Sequence, residues 1–459
     1  MKKYGKLIGL LGGLLLCIII CLSPIEGLSR EGRLCLGFTL MTVIWWAAQV
    51  VQSGYVSGIY LMLLCLFEVA EPDVIFAGWT GSSIWLVVGA YLIASAVQKS
   101  GLGKRLSYIF VLRFVRTWKS IIISIFALTF VLSLLIPHPW PRAFLVMSVM
   151  RVLIQAAHIP KRESTIIGFS VFAASVPISL IFMTGDATIN PLAASYASSP
   201  VSFVDWFIIM GVPAIVLSLL TLILLLIFFK PSVSVNINLE EIREEKAKLG
   251  KMQSREIRTL VWMGIAILLW LTNGITGLDI GWITLMVAML MSLPVVGEVV
   301  RAEDWKEVPV HVMVFLTAAI AIGKVGGVTG MNQWIASTFM PSSIPENIIV
   351  LVLLIAGLTM IIHMFMGSVI AVMGVVIPAL IAFTEPAGIS SLAVIGIVYL
   401  SVAGHYILPF HHLNMLVGQG EENGMYSQKE TVRLGLPLCL AIFIMVIFAV
   451  GWWKLIGLL

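Results

Sequence analysis

Charged side chains are scarce in this sequence: they make up 11% of its 459 residues, against 60% hydrophobic. A soluble fold of that length needs a polar surface that so little charge cannot supply, so most of the chain is solvated by lipid. Cysteine is also rare. Cys17, Cys21, Cys35, Cys65 and Cys439 lie inside or at the edge of apolar runs with no metal-ligand spacing, which reads as lipid-buried thiols and excludes a disulfide scaffold. No HExxH, Walker loop or GxSxG occurs, so no nucleophile or general-base signature marks an enzyme. Nothing supports nucleic-acid binding, and no cofactor or metal spacing is present.

What the sequence does contain is repeated apolar runs of the length that crosses a bilayer as helix, about 20 residues. Such helices satisfy every backbone polar group internally. Spans are expected near residues 5–23, 34–51, 55–70, 83–98, 164–182, 206–229, 259–275, 281–297, 309–325, 391–409 and 435–457. The start, MKKYGK followed by an apolar stretch to Cys21, resembles a signal peptide but is read as the first span. Two further apolar segments, 120–157 and 346–383, are interrupted halfway. Pro137, His138, Pro139, Trp140 and Pro141 break the first, because proline removes a backbone donor and clashes with the preceding turn. Gly367 and Ser368 break the second. Each is read as a re-entrant hairpin, which gives an all-α polytopic membrane protein of about 11 transmembrane helices plus two hairpins.

Lysine and arginine orient this arrangement, since short cytoplasmic loops collect them. Lys2, Lys3 and Lys6, the stretch from Lys99 to Lys119, Lys161 and Arg162, and the segment 230–258 all fall on one side. The N-terminus is therefore expected in the cytoplasm and the C-terminus outside a cell membrane, plasma or inner. The segment 230–258 reads as a solvated cytoplasmic linker between halves of similar grammar. Each half has a span, an amphipathic stretch, a broken hairpin, a span ending in a polar loop, and a final span. An odd number of crossings separates them, so two inverted repeats are expected. The organisation is then N-terminal scaffold helices 1–80, a first repeat 81–229 with hairpin 120–157 and polar loop 184–191, the linker, and a second repeat 259–459 with hairpin 346–383 and polar loop 409–420.

The stretch IWLVVGAYLIASAVQKSGLGKRLSYIF, with WWAAQVV near Trp45, VSFVDWFIIMGVPAIVLSLL and LPFHHLNMLVGQG, resembles the divalent anion:sodium symporters of the ion transporter superfamily. The resemblance covers essentially the whole chain. It implies a homodimer in which hairpins and polar loops move as a transport domain against a scaffold of the remaining spans. In that family each hairpin tip carries Ser-Asn-Thr, which binds sodium and substrate carboxylates. Here the first tip reads Pro137 to Arg142 and the second Met366, Gly367, Ser368, Val369, Ile370, so only Ser368 keeps a motif residue type.

Polar groups at membrane depth are functional candidates by default. Arg142 offers a fork of donors that matches carboxylate or sulfate, with an interfacial arginine snorkelling to the cytoplasm as the bland alternative. The loop TGDATINP supplies Thr184, Asp186 and Asn190, and suits an unwound segment facing a cavity. Asp186 is read as an ion-pair partner, a proton carrier, a cation ligand or a helix cap. His411, His412 and Asn414 occupy the matching second loop, and imidazoles there can donate to an anion or take a proton. His363 and His405 lie close enough in sequence to extend a proton path, whereas His158 and His311 look interfacial. Substrate contacts are thus expected from His138, Arg142, Thr184, Asn190, Ser368, His412 and Asn414, and coupling-ion roles from Asp186, His411 and His363. The expected activity is elevator-type alternating access for a small anion, a dicarboxylate or an oxyanion such as sulfate. Proton coupling or exchange is expected ahead of sodium coupling, because the tip motifs are lost. A non-transporting sensor or scaffold paralogue and a cation or metal carrier built on the histidines and Asp186 are the alternatives.

Overall fold

The computed structural model describes residues 2–232, 239–340, 344–409 and 411–459. Residues 233–238 of the expected linker and Phe410 of the second polar loop lie outside the described residues, as do the side chains of Lys2 and Lys3. Among the described residues the fold is built from helices, and nine of these are long and apolar enough to cross a membrane. Their outward faces are apolar: Ile361, Phe365, Leu440 and Ile444 are all more than half exposed, as expected where the surrounding solvent is hydrocarbon.

Each expected span coincides with a helix. Two stop early. The helix expected over 281–297 is Ile280–Leu290, because Pro294 and Gly297 lie in the turns that follow it. The one expected over 391–409 is Ser391–Ala403, which leaves Gly404 to Pro409 in irregular structure.

Both interrupted segments are helix–break–helix units. The first pairs Trp118–Leu135 with Pro139–Ala156. Thr117 and Ser120 form a capping box at its start, and His138 caps the second leg, accepting from the Trp140 amide at 3.2 Å. The second unit pairs Ile348–Met366 with Val369–Thr384. Gly367 ends its first leg in the left-handed region at φ 61°, where glycine carries no Cβ penalty, and Ser368 caps the second leg. Prolines and an imidazole make one break; a left-handed glycine and a hydroxyl make the other.

The two halves share an order of elements. Ser83–Ser100 turns at Gly101 (φ 84°) into Leu102–Phe114, and Val310–Val328 turns near Gly330 (φ 76°) into Met331–Phe339. Each helix pair then leads into a broken unit. The span Lys161–Ile178 runs into a loop holding the short helices Met183–Asp186 and Ile189–Ala194, while Ser391–Ala403 runs into a loop holding Leu413–Val417. Packing between the halves is reciprocal. Ser83–Ser100 lies against Ile280–Leu290 and the turn Ala302–Glu307, and Val310–Val328 lies against Ser53–Leu66 and the short helices Pro72–Ile75 and Ala77–Thr80. Polar bonds lock both contacts: Lys99 and Ser95 reach Asp304 at 2.5 and 2.6 Å, and Trp79 Nε1 donates to Thr317 at 2.8 Å.

The linker is more than a solvated charge run. Its helix Glu240–Lys248 buries Ile242 completely, and Arg105 of the GLGKR turn holds the segment after it. Arg105 donates to Glu256 through Nε and Nη2 at 2.7 and 3.0 Å and to the carbonyls of Gly250, Leu249 and Lys251. A buried bidentate pair of this kind is strongly position-specific.

Candidate functional site

The break of the first hairpin places His138 and Arg142 in the protein interior, 5% and 0% exposed. Because His138 Nδ1 accepts the Trp140 amide, the neutral ring carries its proton on Nε2, which lies 2.6 Å from the Tyr91 hydroxyl. Arg142 sits one turn into the helix that begins at this break. Its Nη1 donates to the carbonyls of Ile136 and Gly185, both at 3.1 Å. Its Nε and Nη2, the two nitrogens on one edge of the guanidinium, have no protein partner. A buried charge with unmet donors is costly, several kcal/mol for the ion by the usual order of magnitude.

Asp186 lies near enough for its charge to act on Arg142, yet no ion pair within 4.0 Å joins them among the described residues. Its Oδ1 accepts from the amides of Thr188 and Ile189 at 3.0 and 3.1 Å, so the carboxylate caps the short helix Ile189–Ala194. Of the four readings of this acid, the cap is the contact formed. Asn190 is fully engaged. Its Nδ2 donates to the carbonyls of Ser179 and Phe182, both at 2.8 Å, and its Oδ1 accepts from Tyr399 at 2.6 Å. That amide holds the loop's shape and ties it to Ser391–Ala403. The hydroxyl of Thr184, on the 3-10 turn Met183–Asp186, is buried without a partner.

Four imidazoles gather around the second polar loop. His363, in the last turn of Ile348–Met366, lies 3.1 Å through Nε2 from the His411 carbonyl. His405, just past Ser391–Ala403, lies 2.7 Å through Nδ1 from the Ser401 carbonyl. Carbonyls only accept, so both rings donate there. His411 Nδ1 accepts from the Ile407 amide at 3.1 Å. Rings of His363 and His411 stack with centroids 4.5 Å apart, and His405 stands edge-on to both. His412 begins the helix Leu413–Val417 and is 5% exposed, with Nδ1 unpartnered.

Trp140 joins the two regions, donating through Nε1 to Asn414 Oδ1 at 2.5 Å; the Asn414 amide nitrogen has no partner. The structure therefore brings His138, Arg142, Thr184, Asp186 and Asn190 into one neighbourhood and His363, His411, His412 and Asn414 into another, linked through Trp140. Ser368 is engaged as a helix cap, at 3.4 Å from the Ala371 amide. His158 and His311 are exposed and apart. Tyr91, Trp140 and Tyr399 escaped the sequence reading. Their partners lie 47, 274 and 209 residues away, and an aromatic in an apolar run carries no signal of such a bond.

A family model described as the sodium:sulfate symporter transmembrane region matches residues 5–459. A Cupriavidus necator protein described only as a membrane protein is 22% identical over 96% of this chain and 91% of its own length. The sodium-dependent dicarboxylate transporter SdcS of Staphylococcus saprophyticus is 24% identical over 77% of this chain and 74% of its own. The putative malate transporter YflS of Bacillus subtilis is 22% identical over 73% of each. Among solved structures, Neisseria gonorrhoeae MtrF, described with a class of antimetabolite efflux pumps, gives a TM-score of 0.56 at 13% identity, covering 95% of this chain and 96% of that one. At that identity the likeness is one of fold.

Proposed function

The chain belongs to the sodium:sulfate symporter family, and from that premise we propose that it is a secondary transporter of small dianions, a dicarboxylate or an oxyanion such as sulfate. Membership places it among multi-pass membrane transporters and not among enzymes. The observation that carries the substrate class is Arg142: a fully buried guanidinium at a hairpin break whose Nε and Nη2 edge has no protein partner. That edge presents parallel N–H donors in the spacing that two oxygens of a carboxylate or sulfate accept. The Thr184 hydroxyl, the Asn414 amide and His412 supply further unmatched polar groups, while His138 orients the tip through Tyr91. The names of SdcS and YflS, which specify dicarboxylate and malate for those proteins, agree with this choice.

Coupling runs by protons or by exchange. Sodium is a hard cation that prefers oxygen ligands, whereas the side chains gathered beside the second hairpin tip are imidazoles. Asp186, His411 and His363 are the groups assigned to proton traffic. The hairpins and polar loops move together as an elevator against the remaining spans, in a homodimer, with the N-terminus cytoplasmic and the C-terminus outside. The matched order of elements, with its reciprocal packing, supports two inverted repeats, the architecture such movement requires.

Uptake of labelled succinate, malate and sulfate into proteoliposomes under imposed proton or sodium gradients tests the reading. Wild type should accumulate at least one dianion, and Arg142→Gln should lose about 10–100-fold in apparent affinity, the equivalent of about 1.5–3 kcal/mol for charge-assisted bonds. Equal uptake by wild type and Arg142→Gln would sink the assignment of Arg142. Uptake driven by sodium and indifferent to a proton uncoupler would sink the coupling.

A further inference from the structure

His363 comes from the second hairpin and His405 and His411 from the one stretch between Ser391–Ala403 and Leu413–Val417, and all three are 0% exposed. One nitrogen of each lies within 4.8 Å of the others. In two of them one ring nitrogen donates to a backbone carbonyl, His363 Nε2 to His411 and His405 Nδ1 to Ser401. Those bonds fix the tautomers, so His363 Nδ1 and His405 Nε2 carry lone pairs, and both are buried without a donor. Buried lone pairs without a donor are costly, and a cation held among the three rings would satisfy them. Clustered imidazoles, each anchored to a carbonyl through one nitrogen with the other left free, are the arrangement that metal-binding histidines adopt, the outer bond holding the ring and raising its basicity.

We propose that His363, His405 and His411 form a binding site for a divalent cation of the zinc class. Neutral imidazole suits zinc, cobalt, nickel and copper, and three imidazoles leave one coordination position for water, hydroxide or another anion. Bonds of about 2.0–2.1 Å require the nitrogens to draw closer than their present 4.8 Å limit, a movement of side chains about their own torsions. His411 has a further requirement. Its Nδ1 accepts the Ile407 amide, so it ligates only after its proton passes from Nε2 to Nδ1 at the expense of that bond, or the ring turns over. Because protons compete for the imidazoles, uptake weakens as pH falls. The site lies outside the Arg142 neighbourhood and binding is read without any anion gradient, so its failure leaves the transport reading untouched, whereas its success takes His363 and His411 out of proton traffic and leaves that role to Asp186.

Full-length protein purified in detergent, freed of any polyhistidine tag and stripped by chelator, is titrated with Co²⁺. Saturable binding of one ion per chain is expected, with the intense visible bands of four-coordinate cobalt, and Zn²⁺ should displace it. His363→Gln and His405→Gln should each weaken binding by more than about tenfold, as loss of a ligand exceeds the effect of losing an outer partner. The exposed His158→Gln should leave it unchanged. Should a variant fail to fold, X-ray absorption on the wild-type zinc complex decides by counting nitrogen neighbours. Absence of saturable binding to wild type, binding that survives both glutamine variants, or a zinc shell without three nitrogens would overturn the proposal.

Discussion

Asp186 and Asn190 stand four residues apart in one buried loop, and their hydrogen bonds give them different work. Asp186 accepts two backbone amides, a task asparagine performs almost as well at a helix start, so Asp186→Asn should cost below about 1 kcal/mol of stability. Loss of proton-driven uptake in that variant, with near-normal melting, therefore reports on the charge and not on the cap. Asn190→Ala should behave in the opposite way. It strips partners from two carbonyls and the Tyr399 hydroxyl, at about 1–3 kcal/mol for each buried group left unpaired. A clear drop in melting temperature is expected; near-normal melting with weakened anion affinity would make Asn190 a substrate contact instead. Asp304, outside the spans, gives a pH test. Burial alone pushes its carboxyl up, but hydrogen bonds from Lys99 and Ser95 and from the Arg301 amide hold it below the usual carboxylate range. A depressed folded pKa contributes stability that is fully present above the unfolded value, about 3.9, and disappears as pH falls through the folded one. Wild type should thus melt above Asp304→Asn at pH 7, and the gap should close below about pH 4; a gap independent of pH would contradict the ionised pair.

At the scale of elements, the GLGKR turn finds its physical reason in Arg105. Its guanidinium fastens the turn to Glu256 and to three carbonyls of the linker's end, with side chains 10% and 5% exposed. Removing one member of a buried pair strands the other, at about 3–5 kcal/mol. Arg105→Gln should lower the melting temperature and open the 240–256 segment to protease; unchanged proteolysis would show that the linker is held by Ile242 and its neighbours alone. The sequence resemblance pointed to this turn, whereas the charge pattern of the linker read as mere solvation, because Glu256 lies 151 residues from Arg105 and nothing local reports the pairing. The hairpin breaks were legible for the opposite reason. Proline and left-handed glycine act within the backbone of their own segment, so Pro137 and Gly367 declare themselves in the sequence. The ends of Ile280–Leu290 and Ser391–Ala403 did not, since apolar residues continue past them. The site was legible in its polar residue types and not in their duties: Arg142 stood out, but the closed shell of Asn190 and the convergence of His405 with His363 and His411 exist only once distant helices meet.

Across the whole molecule, the same distant meetings suggest which parts move as one. Trp140 ties the first hairpin tip to Asn414, and Asn190 ties the first polar loop to Tyr399, so elements of the two halves share one polar unit. The second hairpin also packs against Val310–Val328 through small residues. A Cβ built at Gly374 would lie 3.5 Å from the Cβ of Ala319, within the range of about 3.5–4.5 Å that a disulfide spans. Elevator movement as proposed requires the hairpin to slide past that span. In a background with the five native cysteines replaced, oxidised Ala319→Cys/Gly374→Cys should stop transport in proteoliposomes and recover it on reduction. Each single variant should transport under both conditions. Full uptake by completely crosslinked protein would mean that this hairpin and Val310–Val328 travel together, and the boundary between moving and fixed parts would then lie elsewhere in the fold.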